Sequence, residues 1–196
     1  MTTETTICNL ALAHLGDERI GSLTDDSEAA RACNAVYISS RDALTRSHPW
    51  NFAIERANLA AESISPSWGW DEQFVLPSDP YCLRVLEVDG YKSYEWVVEG
   101  RKLLGNFSSA NIRYIKREID PAQFDSLFSM ALAAKIAETV AVRLTGNSTI
   151  KEGARRMFDD AMRTARTTDG QEGMVEVITS SFLTDVRLLQ TQLSTP

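Results

Sequence analysis

The chain has 196 residues, 43% hydrophobic and 24% charged, which suits a soluble protein of one or two domains that folds around a real core. Its net charge of −7, from 20 basic and 27 acidic side chains, has the wrong sign for a free sequence-specific DNA binder. Cys8, Cys33 and Cys82 are odd in number and show no C-x-x-C spacing, so a reduced, cytosolic setting is expected and a cysteine metal site is not.

The N-terminal Met1-Thr-Thr-Glu-Thr-Thr lacks a basic stretch followed by an apolar one, so no cleavable signal is expected. No run approaches the length of a membrane span. A first helix is predicted from about Thr5 to Leu15, with Ile7, Leu10, Ala11, His14 and Leu15 as its apolar stripe and Gly16 at its C-terminus. A loop then leads to a long helix ending near Ser47, because Pro49 disfavours helical geometry at His48. Asp25 and Glu28 have capping-box spacing at its start. Ala29, Cys33, Val36, Ser40, Leu44 and Ser47 form the expected buried stripe, with Arg41 and Thr45 off it.

At Trp50 the period changes from helix to strand. Alternation runs through Trp50–Leu59 and Ile112–Arg117, with shorter β-rich runs at Gln73–Leu76, Cys82–Val88 and Tyr94–Val98. Asp89-Gly90 and Glu99-Gly100 read as hairpin tips. Helices return at Asp120-Pro121, a cap and first-turn proline, and the third helix continues to Thr145 before Gly146. Its middle, Met130 to Val142, is apolar on nearly every side. A fourth helix starts at Ser148 and Thr149 and is expected to end at Asp169-Gly170, burying Ile150, Ala154, Met157, Phe158, Ala161 and Ala165. Asp159 with Arg163 and Glu152 with Arg156 have the spacing of favourable surface pairs.

Few groups offer chemistry. His14 lies on an apolar stripe and His48 at a helix end, where structural roles are expected for both. Gly100 and Gly105 have the outer spacing of a phosphate loop, but Asn106-Phe107 stands where a lysine and a hydroxyl would be needed. Arg113, Lys116 and Arg117 form the one basic cluster, read as a channel or subunit contact, with a nucleic-acid contact as the alternative. No catalytic site, cofactor or metal is expected.

The ordered set Ile7-Cys-Asn-Leu-Ala-Leu-Ala-His-Leu-Gly16, Ala30-Arg-Ala-Cys-Asn-Ala-Val-Tyr37, Arg41-Asp-Ala-Leu44 and His48-Pro-Trp-Asn-Phe-Ala53 resembles the phage tail tubular protein A family of head-to-tail adaptors. Leu76-Pro77 and Leu83-Arg84-Val85 extend the resemblance into the middle of the chain. It implies a ring, usually twelve-fold, clamped between the portal protein and a downstream tail or nozzle protein. Double-stranded DNA would pass through its channel without sequence-specific binding. The implied location is the virion head-tail interface, after assembly in the bacterial host cytoplasm, with no membrane partner. A nucleic-acid-binding phage assembly factor, or another tail or head-completion component, is the alternative.

Together these readings predict an α+β fold, a four-helix bundle (1–49 and 118–170) with a small antiparallel β domain (50–117) inserted between helices 2 and 3. A C-terminal docking arm (171–196) would follow. Trp50 and Phe52 are expected to anchor the junction between bundle and β domain. In the arm, Phe182, Leu183, Val186, Leu188 and Leu189 would otherwise be left wet, and in such adaptors the C-terminal segment commonly engages the portal.

Overall fold

The computed structural model describes residues 2–172. The arm residues Phe182, Leu183, Val186, Leu188 and Leu189 therefore lie outside the described residues.

Local signals set the helix ends. Helix α1 (Glu4–Leu15) is capped by Thr3, whose hydroxyl accepts from the Thr6 amide, and it stops at Gly16 in the left-handed region at φ 73°. Helix α2 (Glu28–Ser47) is capped by Ser27, not Asp25. The Asp25 carboxylate turns back and accepts from the amides of Gly21 and Ser22, which orders the loop before the helix. Of the expected stripe Cys33, Ser40 and Leu44 are buried, but the buried face of α2 also takes in Ala30, Ala32, Tyr37, Arg41 and Thr45, while Ala29 and Val36 are only partly buried and Ser47 is exposed. Arg41 can be buried because Asp42 meets its charge, and Thr45 because its hydroxyl donates to the Arg41 carbonyl.

After His48 the chain makes one 3-10 turn, Asn51–Ala53, before strand β1 (Ile54–Ala60), so Trp50 precedes the strand instead of starting it. Strands β2 (Glu72–Val75), β3 (Cys82–Val88), β4 (Trp96–Glu99), β5 (Lys102–Gly105) and β6 (Ser109–Lys116) follow. They form two antiparallel sheets, β1-β6-β3 and β2-β5-β4. Glu99-Gly100 is the tip of the β4–β5 hairpin, and Asp89-Gly90 is a two-residue turn closed by an antiparallel bridge between Val88 and Tyr91, after which the chain passes to the second sheet. Pro121–Gln123 forms a separate 3-10 turn, and α3 (Ser126–Thr145) has its own cap at Asp125. Helix α4 (Ser148–Glu172) runs through Asp169 and Gly170.

The four-helix bundle with one inserted domain is not what the chain forms. Helix α3 packs along α1, α2 and α4, while α1 touches α2 and α4 at only a few points. The all-round apolar pattern of α3 is thus explained within the subunit, with Phe128, Leu132, Ile136 and Val140 buried among three neighbours. The β part is not a separate insert either. Ile54, Ile115, Leu83 and Leu86 of the first sheet pack into the helical core. The other face of that sheet, through Leu59, Val85, Val88, Ile112 and Tyr114, packs on Phe74 and Leu103 of the second. Period-two alternation sends β1 and β6 side chains to both cores in turn. In β3 two register shifts restore that phase, between Cys82 and Arg84 and between Val85 and Glu87. The result is three layers, helices, first sheet and second sheet.

Cys8, Cys33 and Cys82 are all buried and free. A side-chain hydrogen bond with Cys33, reinforced by burial, pushes the Cys8 thiol far above its ordinary range. Met157, expected inside α4's stripe, is exposed, and Met162 takes the buried position. On the outer face of α4, Arg163 pairs with Asp160 instead of Asp159, while the Glu152–Arg156 contact forms at 3.8 Å.

Candidate functional site

The segment that joins α2 to β1 is held from both sides. Trp50 is fully buried, its indole N–H donates to the Leu44 carbonyl at 3.1 Å, and its ring meets Phe128 edge-on at 5.2 Å between centroids. Phe52 packs on Phe124 and Phe128 at 5.7 and 4.9 Å. From the far end of the chain, Asp169 accepts from the Asn51 amide at 2.9 Å, and its second carboxylate oxygen lies 2.9 Å from His48 Nε2. The Asn51 side-chain amide donates to the Asp169 carbonyl at 2.9 Å.

The three basic residues at the end of β6 are not brought together as one patch. Arg113 pairs with Glu87 at 2.8 Å, Lys116 lies 3.1 Å from Glu118 and 3.8 Å from Glu55, and Arg117 lies 2.8 Å from Asp42. Each charge is met by a carboxylate of its own chain, which leaves little excess positive field for a phosphate backbone.

Arg117 belongs instead to a cleft of about 560 Å³ where α2, β3, the β4–β5 hairpin and the end of β6 meet. Arg46, Arg84, Arg101 and Arg117 line it, with Asp42 as the one lining carboxylate among the described residues. Tyr81 sits between two guanidiniums, Arg101 at 4.0 Å and Arg117 at 4.2 Å from its ring centroid. Arg101 is fixed by donating to the carbonyls of Leu76, Pro77 and Cys82, and Arg46 by donating to that of Leu83. Asp42 is shared, since Arg41 holds its other carboxylate oxygen. Arg117 Nε approaches Asp42 at 2.8 Å but without hydrogen-bond alignment, and the buried Trp96 indole N–H on the cleft wall has no partner among the described residues. Burial pushes the neighbouring Cys82 thiol up to about 11, partly offset by the positive charge of Arg101 and Arg46. Sequence reading singled out only Arg117 here. The other three arginines lie 16 to 71 positions away on separate elements, and no local spacing announces them.

Among the described residues several large apolar side chains are well exposed, Trp68 most of all, followed by Ile64, Tyr94, Ile119 and Ile38. Ile38 on α2 is 60% exposed. Trp68 is 86% exposed at the tip of the loop that crosses the outer face of the second sheet, where Gln73 donates to the Ile64 carbonyl at 2.6 Å and Leu104 is buried.

Among the described residues, no three His, Cys, Asp or Glu side chains are grouped as a metal would require, and no helix is long and apolar enough to cross a membrane. No protein-family model matches the chain, and no curated protein does. The resemblance to the tail tubular family rests on the residue pattern alone.

Proposed function

We propose that this chain is a structural virion protein, a head-to-tail adaptor subunit. It forms a ring, twelve-fold in the usual manner of such adaptors, between a portal protein and a downstream tail or nozzle protein. The reading is supported by the residue pattern of the first two helices and the following Pro49-Trp50. One observation carries it physically. Apolar side chains are exposed at more than one place on the subunit, Ile38 on α2 and Trp68 beside the second sheet among them, and a head-to-tail ring contact is built from two such unlike places. The net charge of −7 suits a wall beside a genome in transit, because like charge keeps DNA from adhering. The assembly-factor alternative gains nothing from Arg113, Lys116 and Arg117, since each is already paired with a carboxylate.

The test uses Ile38→Ser and Trp68→Ser at concentrations where the unmodified protein self-assembles. Each variant alone stays monomeric, because one of the two unlike surfaces is lost in every copy. Mixed, they form dimers and nothing larger, since one intact pair of surfaces remains. Rings formed by either single variant would overturn the assignment of these surfaces.

A further inference from the structure

We propose that the arginine-lined cleft between α2, β3 and the β4–β5 hairpin is a docking site for an acidic peptide segment of a partner protein, which it holds by a side-chain carboxylate. This goes beyond the adaptor reading and stands whether or not the chain forms a ring.

Four guanidiniums from four separate elements face one carboxylate, in a chain whose overall charge is negative. Asp42 pairs with Arg117 and is shared with Arg41, so the unpaired charge of the cleft is that of Arg46, Arg84 and Arg101, which have no carboxylate partner among the described residues. A concave wall of low dielectric concentrates the remaining positive field inward. Arg46 and Arg101 are fixed in place by backbone carbonyls, so they present charge without losing side-chain freedom on binding. The Arg84 side chain makes no hydrogen bond or ion pair among the described residues, whereas Arg117 Nε lies beside Asp42. The Arg84 fork has donors to give, and the planar guanidinium matches a carboxylate with two parallel N–H donors. The Trp96 indole N–H, buried without a partner among the described residues beside the cleft, serves as a reporter of its occupation.

The remaining lining sets the class of ligand. Leu76, Val85 and Val98 give the cleft an apolar side, which suits a carboxylate flanked by aliphatic residues. A volume of about 560 Å³ takes a few side chains and is far too small for a duplex. The chain's overall negative charge also disfavours a polyanion at long range, while one carboxylate feels chiefly its immediate neighbours.

The experiment is a side-chain nitrogen NMR titration of the full chain with a blocked heptapeptide carrying one glutamate between two valines. The expected result is saturable movement of the Trp96 indole and the Arg84 and Arg117 Nε–H signals. Replacing the glutamate by glutamine should weaken binding about tenfold, as should Arg84→Gln. The indole signals of Trp50, Trp68 and Trp70 report that the variant remains folded, and Arg46→Gln takes its place if they shift. Inorganic phosphate and a short DNA duplex are titrated in parallel and should bind more weakly. No saturable movement, equal binding of the glutamine peptide, or tighter binding of phosphate or duplex would each overturn the proposal.

Discussion

Asp169 on the last described helix lies 2.9 Å from His48 Nε2, although 121 positions separate the two residues. The same carboxylate accepts from the Asn51 amide, so the C-terminal part of α4 closes over the point where the chain passes from helix to sheet. Both side chains are largely shielded from water, which is where hydrogen bonds to a charged acceptor count most. Asp169→Ala leaves the Asn51 amide and the His48 ring without this partner and should cost about 1–3 kcal/mol. Urea melts against Asp160→Ala, a change at an exposed site, check this. Equal midpoints for the two variants would show that the closure is not stabilising.

Trp50→Ala should cost about 3–5 kcal/mol, because it removes a fully buried indole that spans α2, the following turn and α3. Phe52→Ala should cost less, since Phe52 is only partly buried. Thermal melting of both variants tests the order, and an unchanged Trp50→Ala midpoint would place the indole in solvent.

Gly105→Ala should also destabilise, by about 1–3 kcal/mol, for a reason of space alone. A Cβ at Gly105 would overlap the ring of Phe107, which packs against Phe74 and Tyr91. Phe107→Leu should recover part of the loss in the double variant. Additive losses in that cycle would contradict the overlap.

The helix ends were legible because their causes are local. Gly16 and Gly146 adopt the left-handed geometry that stops α1 and α3, and Pro49 follows the last residues of α2 as expected. Caps were harder, because several acceptors compete within a few residues. Ser27 caps α2 in place of Asp25, and Asp120 caps only the separate 3-10 turn that Pro121 opens, while Asp125 caps α3. Asp169-Gly170 reads as a stop signal, yet Asp169 is engaged by His48 and Asn51 and the helix continues through it. The layering was not legible for a related reason. Alternation in β1 and β6 shows two buried faces but not that one faces helices and the other a second sheet. The arginine cleft was the least accessible, since Arg46, Tyr81, Arg84, Arg101 and Arg117 meet only once the strands have paired.

Stability should fall as the solution is acidified through the ordinary histidine range. Burial holds the His14 pKa below its usual 6.5, so the unfolded chain takes up a proton more readily than the folded one. The contribution is therefore complete above the unfolded value and is lost as pH falls through the folded one. Glu28 adds a second loss at lower pH, because its hydrogen bond with Arg143 holds its carboxyl below the usual range. Urea melts of the protein and of His14→Gln at pH 7.5 and 5.5 separate the first effect. The variant should lose less stability between these values, and an equal loss would remove His14 from the account.

The most direct test of the adaptor reading is electron microscopy of the purified full chain mixed with portal complexes. The reading predicts a single ring stacked coaxially on the portal, with an open channel and a subunit number near twelve. Portal complexes that stay bare at saturating protein, or protein that decorates them without forming a closed ring, would contradict it.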